Sequence, residues 1–248
     1  MTTAVDLRAP LARYASLLHA SAGPEHHVAS PLGAWLLAAL CAPVGSSDLE
    51  EALGIDLESA RSVADGLLSD PHPAVLSAAA LWLAQTPTAA MDAWLTALPA
   101  PVSTGPMPSQ TEADAWADEH TLGLIKKMPL TLTPDTILLL ATALATKVSW
   151  VQPFTLAPSS RLGAASPWRG AVSQVLEMPD HFHEAFIVRV PSLGDVAVHT
   201  AYAVEGLRVT SVIGPSGVEP GQVISAAYEI AVASATRGAL DRRSLFDL

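Results

Sequence analysis

The chain has no asparagine, a single cysteine (Cys41) and only three lysines against ten arginines. One cysteine excludes an intrachain disulfide, so nothing in the fold requires an oxidising compartment. Cys41 stands inside the apolar run Ala34–Ala42. That setting suits a small buried hydrophobe; a reactive thiol needs an exposed electropositive neighbourhood. Charge is also scarce: charged residues make up 15% of the chain and hydrophobic ones 50%. This balance excludes a disordered polymer. The most apolar run, Leu32–Val44, is too short to span a bilayer and contains Pro43. No basic segment followed by an apolar one opens the chain, so no secretory leader is read and a soluble protein, cytoplasmic by default, is expected.

Chemistry-bearing motifs are missing too. No Gly-x-Ser-x-Gly elbow exists, and Gly214-Pro215-Ser216-Gly217 lacks the spacing of a phosphate loop. His181 and His183 would share one face of a strand, as two metal ligands do, but no cysteine or third histidine supports them. His26 and His27 would point to opposite faces. The sequence therefore predicts no catalytic residue, no metal site, no cofactor and no enzyme. The net charge of -11 repels phosphate backbones and anionic lipid, so neither nucleic acid nor membrane is an expected partner.

What remains is a chain of 248 residues with ample material for a core. Helical spacing is read from Leu7 to Leu18 behind Asp6, and Ser30-Pro31 opens a helix over Leu32–Cys41 that is apolar nearly all round. A short helix follows, capped by Ser46 or by Ser47 with Glu50 in the capping-box position, and Gly54 stops it. Further helices are read over Asp56–Leu68, Thr88–Leu98, Glu112–Ile125 and Gln222–Thr236. Strands are read over Val75–Ala84, within Pro99–Pro108 as an edge, over Thr136–Val151, Val172–Met178, Ala185–Val190, Val196–Val204 and Leu207–Ile213. Helices come first and strands later, the ordering of an α+β fold. Trp82, Trp94, Trp116 and Trp150 fall in apolar patterns and are read as core. Lys126 and Lys127 follow a helix end, where the dipole favours cations.

The stretch Thr111–Phe154 resembles the serpin family. Trp116, Thr121, Gly123 and Ile125 stand in the family's helix pattern, with Asp114 at the usual Asn position. Leu138, Leu139, Leu140, Ala143, Lys147, Trp150, Pro153 and Phe154 stand in its strand pattern, with Thr142 for Asn and Val148 for Gly. Ser30, Pro31, Leu32, Ala39 and Leu40 are similar to an earlier family motif, and Leu76–Ala84 to another, with Ala79 for Asn. The alanine-rich, asparagine-free composition is of the type that GC-rich bacterial genes encode. The resemblance covers about residues 6–154.

It implies a single serpin-like domain over residues 1–248, expected to be incomplete at its C-terminal end, its helical N-terminal part packed on a large, mostly antiparallel sheet, with further β-sheets in the second half. Thr136–Val151 would be a central strand of the large sheet, and Ser30 would cap the helix beneath the place where that sheet opens. In inhibitory members a loop cut by the target protease inserts as a strand there, so the implied partner is a serine or cysteine protease, provided that the missing C-terminal part is supplied. The family's acidic hinge, reactive loop and closing strands are not found; the nearest lookalike, Glu229–Thr236, reads better as a helix. These residues alone are therefore expected not to trap proteases, and a non-inhibitory binding module on a shortened scaffold is the alternative.

Overall fold

Ser30 and Pro31 start the first central helix as their chemistry dictates: the Ser30 Oγ accepts the N–H of Gly33 at 3.1 Å, and Pro31 occupies a first-turn position where its missing donor costs nothing. The structure, a computed structural model, describes residues 6–21, 23, 25, 27–234 and 240–245. His26, Ala235 and Thr236, on which parts of the sequence reading fall, lie outside the described residues. The chain divides into two compact units, Met1–Lys147 and Val148–Leu248.

The first unit runs α1 (Arg8–Ser21), α2 (Pro31–Leu40), α3 (Ser47–Leu53), α4 (Leu57–Ser69), β1 (Val75–Leu83), α5 (Ala89–Thr96), β2 (Val102–Pro106), α6 (Gln110–His120) and β3 (Leu138–Thr146). Helix α2 is apolar on all sides because it is surrounded. Trp35, Leu36, Ala39 and Leu40 are buried with Leu53, Ala60, Ala64 and Leu68, and the Trp35 indole donates to the Leu53 carbonyl at 3.1 Å. Cys41 is half-buried and packs against the cluster of Leu81, Leu83 and Trp94, and burial pushes its thiol pKa up. Helix α3 is capped at Ser46, without a side-chain bond, so the Ser47–Glu50 capping box does not form; Gly54 ends it at φ 73°.

The sheet of this unit has the order β2-β1-β3, with β1 parallel to β2 and antiparallel to β3. This corrects the central placement of Thr136–Val151: β3 is shorter and forms an edge among the described residues. The apolar run outlasts the strand because its bonds to the β1 side end when Lys147 donates to Ala74 O. Trp150 then pairs with Ala203 in the second unit's own structure. Helix α6 also stops before the apolar pattern does. It begins in a capping box between Ser109 and Glu112 and ends at His120, after which Leu122 and Gly123 turn left-handed at φ 54° and 79°. Lys126 and Lys127 thus lie beyond the reach of the α6 dipole, which acts within the last turn.

The second unit contains a two-stranded sheet, β4 (Thr155–Pro158) with β5 (Gln174–Glu177). It also holds β6 (His183–Val190), β7 (Gly194–Tyr202), β8 (Arg208–Ile213) and the short β9 (Arg242–Arg243), in the order β8-β7-β6-β9. Helix α7 (Pro220–Ser234) lays Ala226 and Ile230 on Phe186, Val188, Val196 and Val198 of this sheet. Glu229–Ser234, the described part of the hinge lookalike, is helical.

Candidate functional site

The open side of β3 is the candidate site. Ala84 N–H donates to Ile137 O and Lys147 N–H to Ala74 O, both at 3.0 Å, so odd-numbered positions of this strand bond toward β1. Alternation in an antiparallel pair then turns the backbone N–H and C=O groups of Leu138, Leu140, Thr142, Leu144 and Thr146 the other way. No strand pairs with that side among the described residues. An edge of this kind is a template for pairing with an extended chain.

Side chains alternate with the backbone. Leu139 and Ala141 are buried with Ala80 and Trp82 on the face that α6 covers through Trp116. Leu140 and Leu144 pack toward α2 and α5 on the other face. Between these layers, beside Leu140–Ala143, lies a groove of about 220 Å³ whose walls include Leu37, Ala117, Thr121, Ile125 and Leu130. It is mostly apolar, with backbone amides and hydroxyls along one side, the mixture that a bound β-strand needs.

Polar side chains fasten the groove's outer wall to α6. Gln110 accepts the N–H of Leu132 at 2.8 Å and donates to Asp114 at 2.9 Å, and Asp114 accepts the N–H of Met128 at 2.9 Å. The Gln110 amide, then the Met128 N–H, holds the Asp114 carboxyl below its ordinary pKa. Asp114 thus does, in this chain, a loop-anchoring job that needs only an acceptor. Thr121 is fully buried; its Oγ1 donates to Ala117 O at 2.7 Å and accepts the N–H of Ile125 at 2.9 Å. Trp116 meets Trp82 edge-on, with centroids 5.4 Å apart, and stacks on His120. Its Nε1 is buried and finds no acceptor among the described residues.

Ser30, Pro31, Trp116, Thr121, Gly123 and Thr142 therefore gather around β3 and its covering helices. Thr142 faces the start of α2, where the Cβ of any larger residue at Gly33 would come within 2.9 Å of its Oγ1. Lys147 follows the last residue of β3 and is exposed. Trp150, Pro153 and Phe154 belong to the second unit, where Trp150 packs edge-on against Phe154, with centroids 5.8 Å apart.

Phe154 leads to a cluster the sequence reading missed. His183 Nδ1 lies 3.2 Å from His199 Nε2, and His183 Nε2 lies 2.8 Å from Gln152 O. A carbonyl only accepts, so His183 carries its proton on Nε2 and its Nδ1 accepts from His199. His181 takes no part: it is exposed, and Phe182, at φ 57°, separates it from β6. The shared strand face expected for His181 and His183 does not form. No group of three or more metal-ligating side chains occurs among the described residues. Gly33, Leu37, Gln110 and His199 were also missed. Ser109 and Glu112 carried a legible capping-box spacing; the others are set by tertiary packing.

No protein-family profile matches this chain, and no curated protein matches it in sequence. Solved structures do. A thyroxine-binding globulin complexed with thyroxine-fluorescein is 16% identical with a TM-score of 0.67, over 94% of this chain and 75% of that one. The thermophilic serpin tengpin in its latent state is 12% identical with a TM-score of 0.63, over 98% and 70%. Ovalbumin from emu (Dromaius novaehollandiae) is 12% identical with a TM-score of 0.61, over 97% and 72%. The fold is serpin-like and of the α+β class. No helix among the described residues is long and apolar enough to cross a membrane.

Proposed function

We propose that this chain is a serpin-type protein, related to inhibitors of serine endopeptidases, that works by receiving an extended peptide segment along the open side of β3. Both units are read as one serpin-like domain, with no enzymatic role. Residues 1–248 on their own are read as unable to trap a protease covalently. The observation that carries this reading is the juxtaposition of outward-turned amides on Leu140, Thr142 and Leu144 with an apolar groove already shaped beside them.

Adding a strand satisfies backbone groups that otherwise bond only to water, and buries apolar surface of the groove at the same time. Ser30, Thr142, Thr121 and Trp116 are assigned to holding the two layers apart at the width a strand requires. A protease becomes the partner only where a cleavable loop is supplied. Glu229–Ser234 lies in α7 and is not extended, which supports a module that does not trap by itself. The second reading is a non-inhibitory binding protein; the thyroxine-binding globulin complex is a neighbour whose bound ligand is a small molecule.

Two measurements test the proposal. Incubation with trypsin-like, chymotrypsin-like and subtilisin-like proteases, followed by a denaturing gel, is expected to show no stable adduct; a covalent band would overturn the non-trapping reading. A decapeptide of alternating leucine and glutamine is expected to raise the thermal midpoint and to slow amide exchange at Leu140, Thr142 and Leu144. Unchanged exchange at saturating peptide would remove the strand-receiving role.

A further inference from the structure

The three lysines of this chain, Lys126, Lys127 and Lys147, all stand in segments that adjoin the elements forming the β3 groove. Lys126 and Lys127 lie between Ile125 and Met128, which both line it, and Lys147 directly follows the strand. Between Arg61 and Arg161 they are the only lysine or arginine side chains, in a protein whose net charge is -11. All three are exposed, and none forms an ion pair within 4 Å among the described residues. Lys127 does act at longer range on Asp114, but that carboxylate is already held by Gln110 and Met128.

The turn next to these cations exposes apolar side chains, with the Asp118 carboxylate beside Gly123. Leu122 is 59% exposed and Leu124 70% exposed, while Ile125 and Leu130 descend into the groove. The turn that displays them is held by hydrogen bonds although it keeps Leu122 in the left-handed region at φ 54°, which L side chains disfavour. Thr121 Oγ1 pins Ile125, and Gly123 N–H donates to Asp118 O at 2.8 Å. Strain retained at a surface turn with two leucines in water points to a use for that surface.

We infer that the segment received at β3 is acidic as well as apolar: carboxylates meet Lys126, Lys127 and Lys147 while alternate apolar side chains enter the groove and cover Leu122 and Leu124. This rests on the strand-receiving reading of the same site and adds the chemistry of the partner. Unpaired cations give electrostatic selection at both encounter and binding, with little desolvation cost because their ammonium groups stay wet. A membrane is the poorer candidate, since a broad anionic surface meets the acidic protein as a whole, whereas one extended segment along β3 meets the lysines locally.

The test compares fluorescein-labelled decapeptides of alternating leucine with glutamate, glutamine or lysine by anisotropy on the whole chain. The glutamate peptide is expected to bind about tenfold more tightly than the glutamine peptide at low ionic strength, an advantage that molar salt removes. In the triple variant K126Q/K127Q/K147Q the glutamate peptide should fall to the affinity of the glutamine peptide, which itself stays unchanged. Equal binding of acidic and neutral peptides to the native protein would overturn the charge assignment and leave strand addition standing. Failure of all three peptides would overturn both. Lysine-dependent capture by phosphatidylserine vesicles, or lysine-dependent self-association without peptide binding, would also overturn the inference.

Discussion

A Cβ placed on Gly33 would sit 2.9 Å from the Oγ1 of Thr142, closer than any relaxed contact. The start of α2 and the middle of β3 therefore touch through a missing side chain. Alanine at position 33 gains about 1 kcal/mol in helix propensity but overpacks a close contact at about 1–3 kcal/mol. G33A is expected to lower stability by about 1 kcal/mol in denaturant titration. T142A removes the opposing hydroxyl, so the double variant should recover most of the loss. Additive losses would show that the two residues do not constrain each other.

Ser30 holds the same junction from the helix side. Its Oγ satisfies the Gly33 N–H, one of the orphan donors of the first turn. S30A is expected to cost about 1 kcal/mol, and S30D or S30T to keep most of it, as read by the urea midpoint. A neutral S30A would mean that Pro31 alone fixes the start of α2.

Three indoles show how a shared chemistry gives different outcomes. Trp94 donates to Leu40 O at 2.8 Å and Trp35 to Leu53 O at 3.1 Å, whereas the buried Trp116 Nε1 has no acceptor among the described residues. Phenylalanine at position 94 or 35 leaves a carbonyl unpaired and a cavity behind, a loss of about 2–4 kcal/mol. W116F also loses volume, but it removes a donor whose burial costs about 1–3 kcal/mol. The expected order of stability is W116F well above W94F and W35F. Comparable losses in all three would show that Trp116 has found a partner in solution.

The helix starts and most strand centres were legible because each is written in local chemistry: a cap, or a run of one period. The ends of β3 were not. Ile137, Val148 and Val151 continue the apolar run, and only the register with β1 decides where pairing stops. The length of α6 was misread for a related reason: Gly123 signals a turn, but the left-handed Leu122 beside it depends on Thr121 bonding both Ala117 and Ile125. At the site, Thr142 was marked by its motif position, yet its neighbour Gly33 is more than a hundred residues away in sequence. His199 was invisible until the β6–β7 register placed it diagonally from His183 on one face.

That pair sets the acid response of the second unit. The Ser149–Phe154 segment carries no titratable side chain, and on β6 the next residue, Glu184, is bonded to Tyr202 and Arg242. Burial, and then the electrostatic interaction with His183, which disfavours protonating both rings, lower the His199 pKa from 6.5. A histidine with a lowered folded pKa is held neutral in the native state and takes up its proton more readily when unfolded. Its contribution is therefore fully present above pH 6.5 and is lost as pH falls from 6.5 through the folded value. His19, in the first unit, shifts in the same direction, by burial and then by His27, so that unit gains a slope of the same sign. Thermal midpoints are expected to drop between about pH 7 and pH 5. H199Q keeps a donor for His183 Nδ1 but cannot titrate, so it should flatten that drop in part, and H19Q/H199Q further. A slope unchanged in H199Q would show that His199 is solvated enough to protonate without cost.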